Sequence, residues 1–397
     1  MPRFVKGMVL SERFFREVVE SIVHDKHPGL KYSAGLLGYG SEVLGLDSAR
    51  STDHEWGPCV QLFLEPADFG KRNRILRTLA EKLPPEFMGF CTNFERDAPG
   101  ESRVAKRSGK GAPINHKVEV HTAASFFKDY MGLDIKRKMR PIDWLTTSEQ
   151  KLATVRAGTL FRDDLDMERL REKLRYYPRD IWLYLLASEW AKLGQEEPFV
   201  GRCGEAGDDM GSRLVAARLV HTVMRLCFLM EREYAPYSKW FGTAFSKLEC
   251  ARVIAPSLNG ALSAGDWKTR EENLSMAYEF VAAKHNEQGI TKPLDSKVSQ
   301  FHDRPYLVIH GDSFASEIRK KIRDPVVKRL PPNLGSVNQF SSTVDLLDDD
   351  RLLRRLECLY SPLEASNTER VFFPSTPSGQ PFSSSGAVSA RRRSESP

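Results

Sequence analysis

The 397-residue chain lacks the sequence features of several large protein classes. None of its six cysteines forms a C-x-x-C pair, which argues against a disulfide framework or a zinc ribbon. No run reaches the roughly 20 apolar residues that a membrane span needs, and residues 1–10 contain no apolar core of signal-peptide length. We therefore expect a soluble, cytoplasmic protein with no membrane partner.

The chain also has only a small excess of positive over negative charge. The chain carries 59 basic and 53 acidic residues, which gives a net charge of +6. Spread over this length, the charge suits a polyanionic ligand such as a nucleotide but gives no strong nucleic-acid signal. The densest basic cluster, residues 103–110, is interpreted either as a solvated loop or as a lid that contacts phosphate.

Two common phosphate-binding motifs are also absent. A Rossmann fingerprint requires G-x-G-x-x-G, but after Gly38 and Gly40 the third glycine position holds Val43. A Walker A loop requires Ser or Thr after Gly-Lys, and Gly111 stands at that position. These mismatches exclude both motifs.

What is present is a Gly-Ser turn followed by a pair of acids. Gly40-Ser41 is followed by Asp53-x-Glu55, which we predict to open a strand over residues 53–64. Side chains two apart on a strand share a face, so this strand would present both carboxylates together. Two close like charges are costly unless a cation joins them, and carboxylate pairs hold Mg²⁺. The spacing predicts a metal pair beside a phosphate-binding turn, as in nucleotidyltransferases.

Each part of this predicted site has a chemical role. Gly40 lets the backbone approach a triphosphate closely, and the Ser41 hydroxyl donates to phosphate oxygens. Glu119 lies centrally in an alternating strand, residues 117–122, and is predicted as the third metal ligand or the general base. The structural alternatives are a solvated turn for the acid pair and the polar face of an edge strand for Glu119.

Two further groups lie in the second half of the chain. Lys239, in the aromatic turn of residues 234–240, is predicted to pair with phosphate, or the turn is a packed corner between helices. Three acids, Glu205, Asp208 and Asp209, precede a long apolar segment. They either place an acid across the cleft from the metal or cap a helix N-terminus.

Two long segments carry a resemblance to a known family. Residues 40–58 (GSEVLGLDSARSTDHEWGP) and 199–245 resemble nucleotidyltransferase-like proteins described mainly as a domain of unknown function. That family is similar in fold to the polymerase-beta-type nucleotidyltransferases, and the resemblance runs from about residue 10 to 360. It implies that Gly40 and Ser41 form the Gly-Ser turn and that Asp53 and Glu55 form the metal pair.

The expected fold is α+β, a nucleotidyltransferase-like mixed-sheet domain over residues 1–150 followed by an α-helical bundle over residues 151–360. Residues 361–397 are rich in Ser and Pro and are predicted to form a disordered tail. Within the first domain we predict a helix over 11–24 with Ser11 as N-cap, a strand over 32–37 and a helix over 69–83. The second contains predicted helices over 163–174, 179–193, 211–234, 270–285 and 351–359.

The function predicted from these features is Mg²⁺-dependent transfer of a nucleoside monophosphate from a nucleoside triphosphate, ATP above all, to an unidentified hydroxyl or amine acceptor. Asp53 and Glu119 are the predicted catalytic residues. His54 and Trp56 stand where the superfamily usually has small aliphatic residues, which leaves open a regulator that binds nucleotide without turnover. An interaction protein that binds no nucleotide is the third alternative.

Overall fold

The computed structural model describes residues 2–361, apart from 97, 99–101, 108 and 110. Its strands in chain order are β1 (Tyr32–Leu36), β2 (Cys59–Leu64), β3 (Glu86–Phe87), β4 (Phe90–Cys91), β5 (Phe94–Glu95), β6 (Val104–Ala105), β7 (Lys117–Thr122), β8 (Thr159–Asp163), β9 (Ser299–Phe301) and β10 (Arg304–Val308). Only β1, β2, β7 and β8 form a sheet of more than two strands among the described residues.

Helices dominate the chain after residue 120. The α-helices are α1 (Gly7–Phe14), α2 (Glu20–Lys26), α3 (Arg72–Lys82), α4 (Ala123–Met131), α5 (Pro141–Thr146), α6 (Glu149–Ala157), α7 (Met167–Glu172), α8 (Arg179–Glu196), α9 (Phe199–Glu205), α10 (Asp209–Glu231), α11 (Ser238–Phe245), α12 (Ala251–Ser263), α13 (Trp267–Glu287), α14 (Gly311–Arg319), α15 (Pro325–Lys328), α16 (Val337–Phe340), α17 (Val344–Asp348) and α18 (Asp350–Arg355). A π-helical turn, Phe15–Val19, joins α1 to α2. Among the described helices, none combines the length and apolar character that a membrane crossing requires.

The main sheet is mixed, as predicted. Its strand order is β7-β2-β1-β8, with β1 antiparallel to both neighbours and β2 parallel to β7. All residues of β1 and β2 are buried, because helices and loops cover both faces of these strands. Gln61 of β2 lies opposite Glu119 of β7 in the parallel register. The strands predicted over 32–37 and 117–122 are therefore confirmed.

The predicted strand over Asp53–Leu64 is wrong in its first half. Ala49–Asp53 forms a 3-10 turn that Ser48 and Ser51 cap reciprocally, and the extended strand begins only at Cys59. Between them Glu55 has a φ of 49° and Gly57 a φ of 145°, values that no regular strand contains. Asp53 and Glu55 thus lie in a loop and do not share the face of a strand.

Two helix predictions also need correction. The first helix begins at Gly7, so Ser11 is not its N-cap but a buried residue inside α1, with its hydroxyl 3.4 Å from the Cys59 thiol. The helix predicted over 163–174 is present but shorter, because Asp163 ends β8 and α7 covers only Met167–Glu172. Asp163 ends that strand because its carboxylate accepts the backbone N–H groups of Met167 and Glu168.

Two large hydrophobic cores flank the sheet. One packs the α1–α2 segment and α3 against the strands, through residues such as Phe14, Val60 and Leu79. The other joins Phe63 of the sheet to the helices, with Trp190 of α8 and Leu226 of α10 fully buried. Because β8 follows residue 150, the main sheet contains strands from both predicted domains. The domain boundary at residue 150 stays a prediction. The tail predicted over residues 361–397 lies outside the described residues except for Ser361.

Candidate functional site

The Gly38–Gly40 turn directly follows β1, and its backbone requires glycine. Gly38 has a φ of 85° and Gly40 a φ of 116°, in the region that favours glycine. A Cβ atom on Gly40 would lie 2.5 Å from the Glu42 carboxylate. Farther along the same segment, the Asp47 carboxylate accepts the Gly7 N–H at 2.7 Å and the Trp56 indole N–H at 3.1 Å, which ties this segment to α1 and to Trp56. The predicted turn is confirmed as a tight, glycine-dependent structure.

This turn lies on the wall of a cavity of about 520 Å³. Five residues singled out from the sequence line this one cavity, namely Gly40, Ser41, Asp53, Glu55 and Lys239. Glu119 lines an adjoining cavity of about 540 Å³. The two cavities share Tyr39, Gly40, Glu42, His54 and Glu55 in their linings, so the predicted residues surround one continuous region.

Asp53 is the most exposed of the predicted acids. Its side chain keeps 62% of its accessible surface and lies 2.9 Å from the His54 ring nitrogen. A side-chain contact so exposed contributes little to folding, so solvent or a ligand can replace His54 at small cost. Asp53 is therefore available on the cavity rim.

Glu55, in contrast, is engaged by two cations. Its carboxylate lies 3.0 Å from Lys117 Nζ and 3.4 Å from Arg103 Nε, and it accepts the Arg103 backbone N–H at 2.6 Å. Burial raises the pKa of Glu55, but the Arg103 N–H and the Lys117 charge outweigh burial and lower it to about 2. Glu55 is an ionised carboxylate whose charge the chain itself neutralises.

Glu119, on β7, shares Arg103 with Glu55 and has His121 as its second partner. Its carboxylate lies 3.3 Å from His121 Nε2 and 3.6 Å from an Arg103 nitrogen. The hydrogen bond from His121 lowers the pKa of Glu119, with support from the His121 and Arg103 charges. Arg103 therefore bridges Glu55 and Glu119. We call Glu55, Glu119, Lys117 and Arg103 the wall cluster.

The three predicted metal ligands do not form a ready metal site in this arrangement. Among the described residues, no group of three or more His, Cys, Asp or Glu side chains is placed to hold a metal ion. Glu55 faces Lys117 and Arg103, Glu119 faces His121 and Arg103, and Asp53 pairs with His54. The donor set as it stands does not fit Mg²⁺, because the places beside two carboxylates hold protein cations.

Aromatic rings supply much of the lining of the cavity of about 520 Å³. Tyr39, 63% exposed, packs edge-on against Tyr130 with ring centroids 4.6 Å apart. Tyr237 and Trp240 also line this cavity. Lys239 Nζ lies 5.1 Å from the centre of the Trp240 ring. Flat rings next to cations are a surface on which a nucleobase stacks.

Lys151, which sequence reasoning missed, is the most buried cation of this cavity's lining. Its side chain is 3% exposed, and Nζ lies 3.0 Å from an Asp350 carboxylate oxygen and 2.8 Å from the Asp348 carbonyl. The same Nζ lies 5.7 Å from the centre of the Tyr130 ring. No local signal in the sequence marks this lysine, because its partners come from a segment almost 200 residues away.

Glu42 is the second residue that was missed. It is 5% exposed and lines both cavities directly after the Gly40-Ser41 turn. Burial raises the pKa of Glu42 to about 7. The negative charges of Asp47 and Glu55 also raise this pKa, whereas the positive charge of Lys117 lowers it. In the sequence, only the position of Glu42 next to Gly40-Ser41 indicated a role in the site. Its burial, which distinguishes it from a surface acid, is visible only in the structure.

The acids before α10 have structural partners. Asp208 caps α10 by accepting the Gly211 N–H at 2.8 Å, and Asp209 pairs with Arg213 at 2.7 Å and Arg270 at 2.9 Å. The Tyr306 hydroxyl donates to Glu205. None of these three acids is among the described residues that line the two cavities. The capping interpretation is the one that these contacts favour.

Two comparisons with known proteins give a match, and the first covers part of this region. A model of the family described as a domain of unknown function, DUF4037, matches residues 144–241, which include Lys151 and Lys239. A nucleotidyltransferase-like protein from Exiguobacterium sibiricum 255-15 is similar in structure at 13% identity, over 74% of this chain and 83% of that one, with a TM-score of 0.29. At that score the backbones differ too much for the likeness to bear on function. No curated protein matches the chain.

Proposed function

We propose that the cavity beside the Gly38–Gly40 turn binds a nucleoside triphosphate, and that the protein transfers its nucleoside monophosphate to a hydroxyl or amine acceptor. The observation that carries the proposal is the lining itself. One cavity of about 520 Å³ combines a glycine turn, stacking rings, the cations Arg50, Lys151 and Lys239, and the acids Asp53 and Glu55. Its volume lies within the usual range for small-molecule sites, about 300–1,000 Å³.

The groups fit the parts of such a substrate. Backbone N–H groups at the Gly40-Ser41 turn and the Ser41 hydroxyl suit phosphate oxygens, as do Lys151 and Lys239. The rings of Tyr39, Tyr237 and Trp240 suit a base, which favours a purine such as that of ATP only through its larger stacking area.

In the proposed reaction the acceptor oxygen or nitrogen forms a bond to the α-phosphorus, and the bond from that phosphorus to the bridging oxygen of the β-phosphate breaks. Pyrophosphate leaves with the electron pair of the broken bond. The acceptor's proton passes to the Glu119 carboxylate, the proposed general base, which His121 and Arg103 hold in the ionised form. Asp53, exposed on the rim, is the residue that would contact a Mg²⁺ ion bound to the incoming nucleotide, and such an ion would offset the charge of the phosphates.

The direct test combines calorimetry with a pyrophosphate-release assay. We expect ATP to bind and Asp53→Ala to lower pyrophosphate release by at least about a hundredfold, as removal of a catalytic group does. The matched control is Asp303→Ala, an exposed acid in the β9–β10 hairpin with 92% side-chain exposure, which should behave as the wild type. Release that is unchanged by Asp53→Ala would contradict nucleotidyl transfer.

A regulator that binds nucleotide without turnover is the second candidate. The neutralised state of Glu55 favours it, because an acid held by Lys117 and Arg103 is not free to bind a catalytic metal. This candidate predicts tight ATP binding with no pyrophosphate release across panels of hydroxyl and amine acceptors. An interaction protein predicts no calorimetric heat with ATP and Mg²⁺ at all.

A further inference from the structure

The wall cluster is balanced in charge without any metal. Two carboxylates, Glu55 and Glu119, face two cations, Lys117 and Arg103, at distances of 3.0 to 3.6 Å. A divalent cation placed beside Glu55 would meet the Lys117 ammonium at close range, and like charges at that range repel each other. The cluster therefore favours its own cations over a free metal ion.

Lys117 is anchored so that it stays when its partner leaves. Its side chain is 9% exposed, and Nζ donates to the Glu55 backbone carbonyl as well as lying 3.0 Å from the Glu55 carboxylate. Nζ also lies 5.5 Å from the centre of the Phe94 ring. The carboxylate of Glu55, 37% exposed, can turn toward the cavity while the carbonyl keeps the lysine in place.

We propose that Lys117, assisted by Arg103, is a built-in counter-ion that excludes a free divalent cation from Glu55 until a phosphate-bearing ligand takes over both basic side chains. The inference rests on the proposed function, because the ligand is the triphosphate of that proposal. Phosphate oxygens then replace the Glu55 carboxylate as partners of Lys117 and Arg103. Lys117 is a positioning residue in this scheme.

The test uses Mn²⁺ alone as the probe, with its binding followed by electron paramagnetic resonance on the full chain. We expect the wild type to bind Mn²⁺ weakly and Lys117→Met to bind it at least about tenfold more tightly. The reason is that the variant lacks the positive charge that is paired with Glu55, and an adjacent opposite charge changes the affinity of a carboxylate for a cation by that much or more. Lys117→Arg should retain the weak binding of the wild type. The matched control is Lys192→Met, which removes a partly buried lysine that lines neither cavity and whose Nζ donates to the Gln339 backbone carbonyl at 3.2 Å.

Adding Glu55→Gln to Lys117→Met should abolish the gained site, which identifies the carboxylate that the lysine covers. Lys117→Gln, which keeps a polar group at the position, serves if Lys117→Met fails to fold, as judged by circular dichroism and thermal unfolding. Tight Mn²⁺ binding by the wild type, no gain in either Lys117 variant, or a gained site that survives Glu55→Gln would each overturn the proposal. The Mn²⁺ measurement contains no nucleotide, so its result tests the role of Lys117 alone. The proposed function is tested separately, by ATP binding and pyrophosphate release.

Discussion

Two clusters of ion-paired side chains use the same chemistry in different surroundings. The wall cluster borders the cavities, and its Glu55 side chain keeps 37% of its accessible surface. Inside the helical core, Arg225 of α10 pairs with Glu149 at 2.8 Å and Glu189 at 3.5 Å, with all three side chains 6% exposed or less. We call these three residues the core cluster. Charges that border a cavity can exchange partners with a ligand, whereas fully buried charges cannot separate without loss of the fold.

The core cluster should respond most strongly to mutation. Arg225→Met leaves Glu149 and Glu189 buried without their cation, and we expect a loss of about 3–5 kcal/mol in the free energy of unfolding. Urea denaturation measures this loss. The matched control is Arg213→Met on the same helix, whose side chain is 45% exposed, whose partner Asp209 is 55% exposed, and whose loss should stay within about 0.5 kcal/mol. Similar losses in both variants would remove the distinction between the two kinds of cluster.

Lys151 lies between the two extremes, because it is buried like the core cluster yet lines the cavity. Lys151→Met leaves Asp350, with an 18% exposed side chain, without its cation. We expect a loss of about 1–3 kcal/mol and faster proteolysis within residues 344–350, since that segment loses its charged attachment to α6. Limited proteolysis with mass spectrometry measures the second effect. Lys239→Met, an exposed lysine over Trp240, is the control and should leave the cleavage rate unchanged.

The wall cluster should show the smallest effect on folding and should show it through pH. The pKa of Glu55 is lowered from 4.5 to about 2 in the folded chain, so its stabilising contribution is complete above 4.5 and disappears as the pH falls toward 2. Because the side chain is 37% exposed, solvent screening limits the contribution to about 1 kcal/mol or less. The difference in unfolding free energy between wild type and Glu55→Gln should therefore shrink between pH 4.5 and 2. A difference that grows on acidification would contradict the ion-paired state.

Local patterns carried part of the site. Two glycines around Tyr39 predicted the turn, and the alternation of residues 117–122 placed Glu119 centrally on a strand, both as the structure has them. The acid pair was assigned to a strand wrongly, because the strand begins only after Gly57 and Pro58, and Glu55 adopts a left-handed conformation. Long helices such as α8, α10 and α13 were predicted because their apolar spacing extends over many turns, whereas the five-residue β8 was missed.

The sequence by itself determined where the backbone turns and which residue types are offered to a ligand, since glycine conformations and apolar periods are local properties. Tertiary structure alone decided which charges meet. Glu55 finds Lys117 across 62 residues, and Lys151 finds Asp350 across 199. An ion pair depends on the distance and burial of both partners, and neither quantity is written in the neighbouring residues. For that reason the sequence offered carboxylates for a metal, and only the fold revealed the cations that already face them.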